Sequence, residues 1–174
     1  MPSPLQVVTT ALQMGPGPGP QVEPVANPFV NLIGSAVGAF LTTLVVGAIL
    51  VAVAPNYTER TMASLLDEPV SSFLYGFVSL VFFVLVIVVL AITIVGIIVA
   101  IPLALVLYLV WAVGAAIAFL AIGERLVGRD GGWAKPLVVG AGINGALTLT
   151  GIGGIVTFAV GAAGFGAVLR DFLS

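Results

Sequence analysis

The side chains that could do chemistry in this sequence are few. The 174 residues include no cysteine and no histidine, and charged residues make up 7% of the chain. Without those two residue types, zinc, haem and iron–sulfur sites lose their usual ligands. No pairing of a nucleophile with a general base is visible in the sequence. We therefore predict no catalytic, cofactor-binding or metal-binding residue. An enzyme acting on lipids is the least favoured functional hypothesis, after a membrane anchor or scaffold and a small transporter or channel.

Asn144 is the strongest candidate for a specific polar contact, since it lies within the uncharged stretch 136–169. Threonine side chains in such stretches commonly bond to carbonyls of their own helix. The amide of an asparagine is not satisfied in that way. An interhelical hydrogen bond is the favoured role for Asn144, and contact with a transported substrate is the alternative.

The composition indicates that lipid surrounds most of this chain. Apolar residues make up 60% of it, and the mean hydropathy is +1.28. A soluble domain has about 25% charged residues, because water covers its surface. The five basic residues form no cluster that could neutralise phosphates, so no nucleic-acid partner is expected. Membrane lipid is the partner that the composition predicts.

The first membrane span is predicted at 29–54, after a Gly/Pro-rich tail, 1–28, that is expected to be disordered. A helix over 29–54 would be ~39 Å long, enough to cross a hydrocarbon core of ~30 Å. Residues 58–68 have apolar side chains at helical spacing. We interpret them as an amphipathic helix in the membrane interface, ended by Pro69.

Residues 73–123 contain no charge, and as one helix they would be ~76 Å long. This stretch must therefore fold back. The turn is predicted between Thr93 and Pro102, because Gly96 tolerates unusual backbone angles and Pro102 can start a helix. The two spans would then be 73–95 and 101–123.

The last apolar stretch is interrupted by glycines near its middle, at Thr148–Gly154. We expect two short helices, 136–149 and 155–169, that form a re-entrant or short hairpin; one long kinked span is the alternative. The predicted fold class is therefore all-α, a polytopic membrane helical bundle. It has three full spans and a glycine-broken C-terminal hairpin, all within a membrane domain at 29–174.

Small residues spaced four apart predict close helix packing. Gly34 and Gly38 form such a pair in the first span, and Ala163 and Ala167 form another in the last helix. Helices in lipid gain from close approach of their backbones. Packing within one chain is the favoured interpretation, and contact with a second copy or another membrane protein is the alternative.

The positions of the basic residues predict the orientation. Loops 55–72 and 124–135 hold four of the five Lys and Arg residues, and the N-terminal tail holds none. Basic loops face the cytoplasm. We expect a multi-pass protein of the plasma membrane with these two loops inside and the N-terminus outside.

The order of features resembles a known family, the small membrane domain associated with bactofilin-like polymer-forming proteins of prokaryotes, archaea included. The matching segments are Pro69, Ser71-Ser72-Phe73-Leu74-Tyr75-Gly76, Thr93-Ile94-Val95-Gly96 with Pro102-Leu103-Ala104, Gly123-Glu124-Arg125-Leu126 and Gly164-Phe165-Gly166-Ala167-Val168-Leu169. The resemblance covers about residues 29–173. It implies a membrane anchor or scaffold with no known chemistry, and it places an N-terminal module outside. Two features depart from the family pattern: the Gly/Pro tail replaces the β-repeat module, and the tight glycine–proline step is stretched to Gly96 and Pro102.

Together these patterns favour a non-enzymatic membrane anchor or scaffold that acts through helix packing and its cytoplasmic loops. The lack of ionisable residues inside the spans is the main support, because transport paths usually contain them. The alternative is a small transporter or channel. It would use the broken segments near Gly96–Pro102 and Thr148–Gly154, where freed carbonyls could line a path.

Overall fold

Helices occupy almost all of residues 27–150 and 152–173, the part of the chain that the computed structural model describes. Six helices follow one another there without a strand: α1 (Pro28–Val53), α2 (Pro55–Asp67), α3 (Pro69–Ala91), α4 (Ile94–Val127), α5 (Ala134–Thr148) and α6 (Gly153–Leu173). Among the described residues, α1, α3, α4 and α6 are long and apolar enough to cross a membrane. The predicted all-α membrane bundle is confirmed, and the chain has the helices of a multi-pass membrane protein.

The chain divides into two units, 1–31 and 32–174. The predicted disordered tail lies outside the described residues except for its last two, Asn27 and Pro28. In this first unit the Asn27 Oδ1 atom accepts a hydrogen bond from the Phe29 amide at 3.1 Å. This bond satisfies one of the free amides at the start of α1.

Prolines define where the helices of the polar loop begin. Pro55 starts α2 and Pro69 starts α3, positions at which the missing amide costs nothing. The helix α2 therefore begins three residues before the predicted 58–68 and ends one residue sooner. The following span also begins earlier than predicted, at Pro69 rather than at 73.

The turn between α3 and α4 lies at Ile92 and Thr93. This is the first end of the predicted stretch Thr93–Pro102, and it comes before the gap at 96–100 that the predicted spans left. The Thr93 hydroxyl accepts a hydrogen bond from the Gly96 amide at 2.9 Å and donates one to the Leu90 carbonyl at 3.2 Å. This cap lets α4 begin at Ile94, and Pro102 lies inside the helix. The predicted spans 73–95 and 101–123 are thus replaced by Pro69–Ala91 and Ile94–Val127.

The glycine-broken C-terminal segment forms two helices, α5 and α6, and not the alternative of one long kinked span. The helix α5 has 15 residues, but α6 has 21 and exceeds the predicted 155–169 at both ends. Past Leu169, the α6 residues Arg170 and Asp171 pair with charged side chains on other elements. The last helix is therefore long enough to cross a membrane.

The order of contacts along the helices gives their directions. The contacting pairs are Ser72 with Gly166 and Phe77 with Phe158 for α3 and α6, and Trp111 with Gly161 and Gly114 with Gly164 for α4 and α6. The helix α6 therefore runs antiparallel to α3 and parallel to α4. Gly47 meets Leu137 and Ala36 meets Gly145, so α1 and α5 are antiparallel as well.

The buried core lies where α2, α4 and α6 meet. Its fully or almost fully buried members are Met62, Leu65, Ile117, Ala118, Leu120, Ala121, Ala167 and Val168. Met62 and Leu65 carry the apolar face of α2 onto the bundle, whereas Leu66 remains 37% exposed. The amphipathic helix thus closes one end of the bundle with most of its apolar face.

Candidate functional site

The charged side chains of the described residues gather at one end of the bundle. Apart from Glu23 in the tail, every Lys, Arg, Asp and Glu lies in three segments, 59–68, 124–135 and 170–171. Ion pairs join these segments across long sequence distances. We refer to the three segments together as the charged end.

Arg129 is the most connected residue of the charged end. Its guanidinium donates to the Glu124 carboxylate at 2.9 and 3.1 Å and also to Glu59 of α2. The same group lies 3.8 Å from the ring centroid of Trp133, a cation–π contact. Burial lowers the pKa of Arg129, but the hydrogen bonds to Glu124 and Glu59 outweigh it and raise the pKa overall. Arg129 thus stays charged and links α2 to the loop between α4 and α5.

The C-terminal end of α6 makes the second set of ion pairs. Arg60 of α2 donates to Asp171 at 2.7 Å, and this hydrogen bond raises the pKa of Arg60. Arg170 donates to Glu68 at 3.1 Å and to the Ser71 hydroxyl at 3.2 Å. Single exposed ion pairs contribute little stability, but here two of them join α6 to the middle of α2 and to the residue that follows α2.

The glycines of the α4–α5 loop give the charged end its tight shape. Gly128, Gly131 and Gly132 have φ angles of +67°, +101° and +107°. Residues with a side chain rarely adopt such angles. The Gly128 amide also closes α4 by donating to the Glu124 carbonyl at 2.8 Å. The loop is therefore shorter than the predicted 124–135, because α4 continues to Val127.

Asn144 makes interhelical hydrogen bonds inside the bundle. Its amide donates to the Thr43 hydroxyl of α1 at 2.8 Å, and the Thr157 hydroxyl of α6 lies 3.4 Å from its carbonyl oxygen. Asn144 is 7% exposed, and Thr148 bonds to its backbone carbonyl at 2.9 Å. Both ends of the side-chain amide thus have protein partners, which favours a structural role that joins α1, α5 and α6.

The predicted small-residue pairs have different surroundings. A side chain built at Gly34 or Gly38 would meet nothing within 4 Å, so this pair lies open on the outer face of α1. Ala167 is fully buried in the core and Ala163 packs against it. The favoured interpretation of packing within the chain therefore fits the α6 pair and does not describe Gly34 and Gly38.

The strongest packing glycines were not singled out from the sequence. At Gly76, Gly114, Gly123, Gly140 and Gly164, an added Cβ would overlap the backbone of a neighbouring helix. Small residues facing each other let helix backbones touch in this way. The sequence shows how many glycines there are. Which of them face a neighbouring helix depends on how α3, α4, α5 and α6 pack.

The surface grooves of the described residues are apolar. One of them, about 530 Å³, lies between α3 and α4 and has Trp111, Tyr108 and Phe158 among its lining residues. Within 27–150 and 152–173, no three acidic side chains come close enough to form a metal site. The charged end is thus the part of the described surface with the most polar and charged groups available for binding.

The model of a family described as a domain of unknown function, DUF8173, matches residues 4–174, a range that includes all six helices. No curated protein and no solved structure matches the chain. The family description states no activity, ligand or partner, so a function has to be argued from the geometry.

Proposed function

We propose that this chain, which belongs to the DUF8173 family of unknown function, is a non-enzymatic membrane anchor or scaffold that binds its partners at the charged end. The observation that carries the proposal is the set of ion pairs joining α2, the α4–α5 loop and the C-terminal end of α6. These pairs hold the polar part of the molecule as one preformed surface. A preformed surface loses less conformational entropy when it binds a partner than a flexible one does.

The hydrogen bonds of the helix turns favour a scaffold over a transporter. At the α5–α6 turn, the Leu147 carbonyl accepts from the Thr150 amide at 2.9 Å and from its hydroxyl at 2.8 Å. At the start of α4, the Thr93 hydroxyl caps the Gly96 amide. Carbonyls already bonded within a turn are not available to line a substrate path. One observation still fits the transporter alternative. Pro102 lies inside α4 and has no amide, so the Ile98 carbonyl lacks its usual helical hydrogen bond.

The resemblance to the membrane domain of bactofilin-like polymer-forming proteins supports the same proposal. In that family an assembled module is attached to the membrane through helices of this kind. The orientation that we propose follows from the basic loops: the charged end faces the cytoplasm of a plasma membrane, and the N-terminal tail faces outside. The partner bound at the charged end would then be a cytoplasmic protein or a second membrane protein.

A flux assay separates the two functions. The full chain is reconstituted in liposomes loaded with dyes for K⁺ and for protons, beside liposomes carrying Asn144→Leu or no protein. We expect no flux above protein-free liposomes from either version, because the amide of Asn144 is occupied by Thr43 and Thr157. Flux from the wild type that Asn144→Leu abolishes would reject the scaffold in favour of the transporter.

Photo-crosslinking in cells tests the scaffold directly. A photoreactive residue is placed at Asp67 or Asp130, both exposed at the charged end, and at Tyr108, an exposed residue of α4, as the control. We expect a discrete protein adduct from the first two positions and none from Tyr108. The adduct should weaken with Glu59→Lys, which reverses one charge of the surface. Adducts that form equally at all three positions would contradict a partner site at the charged end.

A further inference from the structure

A groove at the border of the charged end lies between the last turn of α4 and the first turns of α5. It has a volume of about 500 Å³ and is lined by Val127, Ala134, Lys135, Val138 and Val139. We call it the Lys135 groove. Its walls are aliphatic, and Lys135 is its only charged lining residue. Val138 is 52% exposed and Val127 is 41% exposed, so the groove opens onto the outer surface of the bundle.

Lys135 differs from the other basic residues in its surroundings. Arg60, Arg129 and Arg170 each form an ion pair with a carboxylate. Within the described parts of the chain, Lys135 and Arg125 have no carboxylate partner, and both are exposed. A cation beside an apolar groove, with no carboxylate partner among the described residues, suits an anionic ligand that also has an apolar part.

The position of Lys135 along α5 indicates where the groove lies relative to the membrane surface. Every residue from Pro136 to Leu169 is uncharged, so Lys135 stands where the charged end meets the apolar wall. A lysine there can lay its methylenes on the wall and hold its ammonium at headgroup level. The N-terminal end of α5 adds partial positive charge, since Trp133 at its cap position makes no side-chain capping bond.

We infer that the Lys135 groove binds an anionic phospholipid. The phosphate of the headgroup contacts the Lys135 ammonium, and an acyl chain lies along Val127, Val138 and Val139. Basic pockets between membrane helices are known to select anionic headgroups. This inference goes beyond the scaffold proposal and does not depend on it, because it concerns a lipid contact and not the protein partner of the charged end.

A second copy of the chain fits the groove less well. It would have to bring a carboxylate to an apolar wall to pair with Lys135. The stretches 69–123 and 136–169 contain no acidic residue that could do so. An anionic phospholipid supplies the negative charge and the apolar chain in one molecule.

Arg125 offers a matched control for the test. Like Lys135, it is exposed and forms no ion pair within 27–150 and 152–173, but it does not line the groove. Gly123 faces α5, where an added Cβ would overlap Pro136 and Gly140. Arg125 follows two positions later, about 200° around the helix at ~100° per residue, and so lies on the other side of α4.

The experiment measures lipid binding by the purified full chain in neutral detergent. Native mass spectrometry compares phosphatidylglycerol with phosphatidylcholine of the same acyl chains, and a thermal melt with each lipid gives a second readout. We expect wild type, Lys135→Arg and Arg125→Ala to prefer phosphatidylglycerol. Lys135→Ala should bind it about fivefold more weakly, the effect of losing one basic contact, and should lose most of the thermal shift.

Three outcomes would overturn the inference. One is equal binding of the two lipids by the wild type. Another is an equal loss for Arg125→Ala and Lys135→Ala, which would indicate unspecific attraction to negative charge. The third is an unchanged lipid preference in Lys135→Ala together with an altered oligomeric state, which would assign the groove to a second copy. None of these readouts depends on flux or on crosslinking at the charged end.

Discussion

At the scale of single residues, contacts between glycine backbones hold the three central helices together. Gly164 of α6 faces the Gly114 carbonyl of α4, and Gly76 of α3 faces the Ala162 carbonyl of α6. In lipid there is no hydrophobic drive between helices, so such close contacts supply much of the packing energy. Many apolar side chains of α3 and of the first half of α4 instead face outward, as Val78, Phe82 and Leu105 do.

This packing predicts a large difference between two Gly→Ala substitutions. At Gly164 the new methyl group would overlap the Gly114 carbonyl, and the backbones of α4 and α6 would have to separate. Overpacking of this kind costs about 1–3 kcal/mol, so we expect a clear drop in Tm for the detergent-solubilised protein. Gly38→Ala is the matched control, because its methyl group meets nothing within 4 Å. A Tm for Gly164→Ala equal to that of Gly38→Ala would show that the α4–α6 contact does not carry the packing.

At the scale of elements, the apex of the α3–α4 hairpin shows how a turn of apolar residues satisfies its own backbone. Ile92, Ile94 and Val95 are all more than three-quarters exposed. Lipid offers no hydrogen bonds to such a turn. The Thr93 hydroxyl fills this need with its bonds to Leu90 and Gly96.

Thr93→Val therefore tests the cap with almost no change of shape. The valine removes both hydroxyl bonds, and loss of an N-cap costs about 1 kcal/mol. We expect faster hydrogen exchange at the Gly96 amide in lipid nanodiscs and a modest fall in Tm. Thr93→Ser keeps the hydroxyl and should behave like the wild type. Wild-type exchange at Gly96 in Thr93→Val would mean that the hydroxyl does not hold the turn.

Local composition predicts the helical membrane class, whereas the α3–α4 turn depends on the Thr93 cap and the ion pairs depend on contacts between distant residues. Long uncharged stretches flanked by prolines predicted the helical membrane class, because length and hydropathy depend on local composition. The α3–α4 turn was misplaced, since Gly96 and Pro102 are stronger turn signals than a threonine in most sequences. Gly96 is instead a position where an added Cβ would overlap the Leu90 carbonyl. The ion pairs could not be predicted, because Arg60 and Asp171 are 111 positions apart and meet only through the packing of α2 on α6.

At the scale of the whole molecule, the distribution of charge gives the bundle two unlike ends. One end carries the ion-paired surface of α2, the α4–α5 loop and the C-terminal end of α6. The contact order places the α3–α4 apex and the α5–α6 turn away from that surface, because α3 and α6 are antiparallel and α4 and α6 are parallel. All three polar segments should consequently lie on one side of the membrane, although they are separated in sequence by long apolar helices.

Cysteine labelling tests this arrangement and its orientation in one experiment, since the chain has no native cysteine. Single cysteines replace Ser3 in the tail, Ala63 of α2, Asp130 of the α4–α5 loop and Phe172 near the C-terminus. Ala63, Asp130 and Phe172 are exposed in the structure. With a membrane-impermeant maleimide, we expect labelling at Ser3→Cys in intact cells. The other three should react only after permeabilisation, because basic segments remain in the cytoplasm.

Each alternative outcome has a distinct meaning. Labelling of Ala63→Cys and Asp130→Cys from outside, with Ser3→Cys protected, would reverse the orientation but keep the charged end intact. Exterior labelling at Phe172→Cys alone would separate α6 from α2 across the membrane. It would contradict the pairing of Arg60 with Asp171, on which the charged end depends. If that pair fixes the C-terminal end of α6, either Arg60→Asp or Asp171→Arg alone should increase the reactivity of Phe172→Cys after permeabilisation. The double exchange of Arg60→Asp with Asp171→Arg should restore the wild-type pattern in cells.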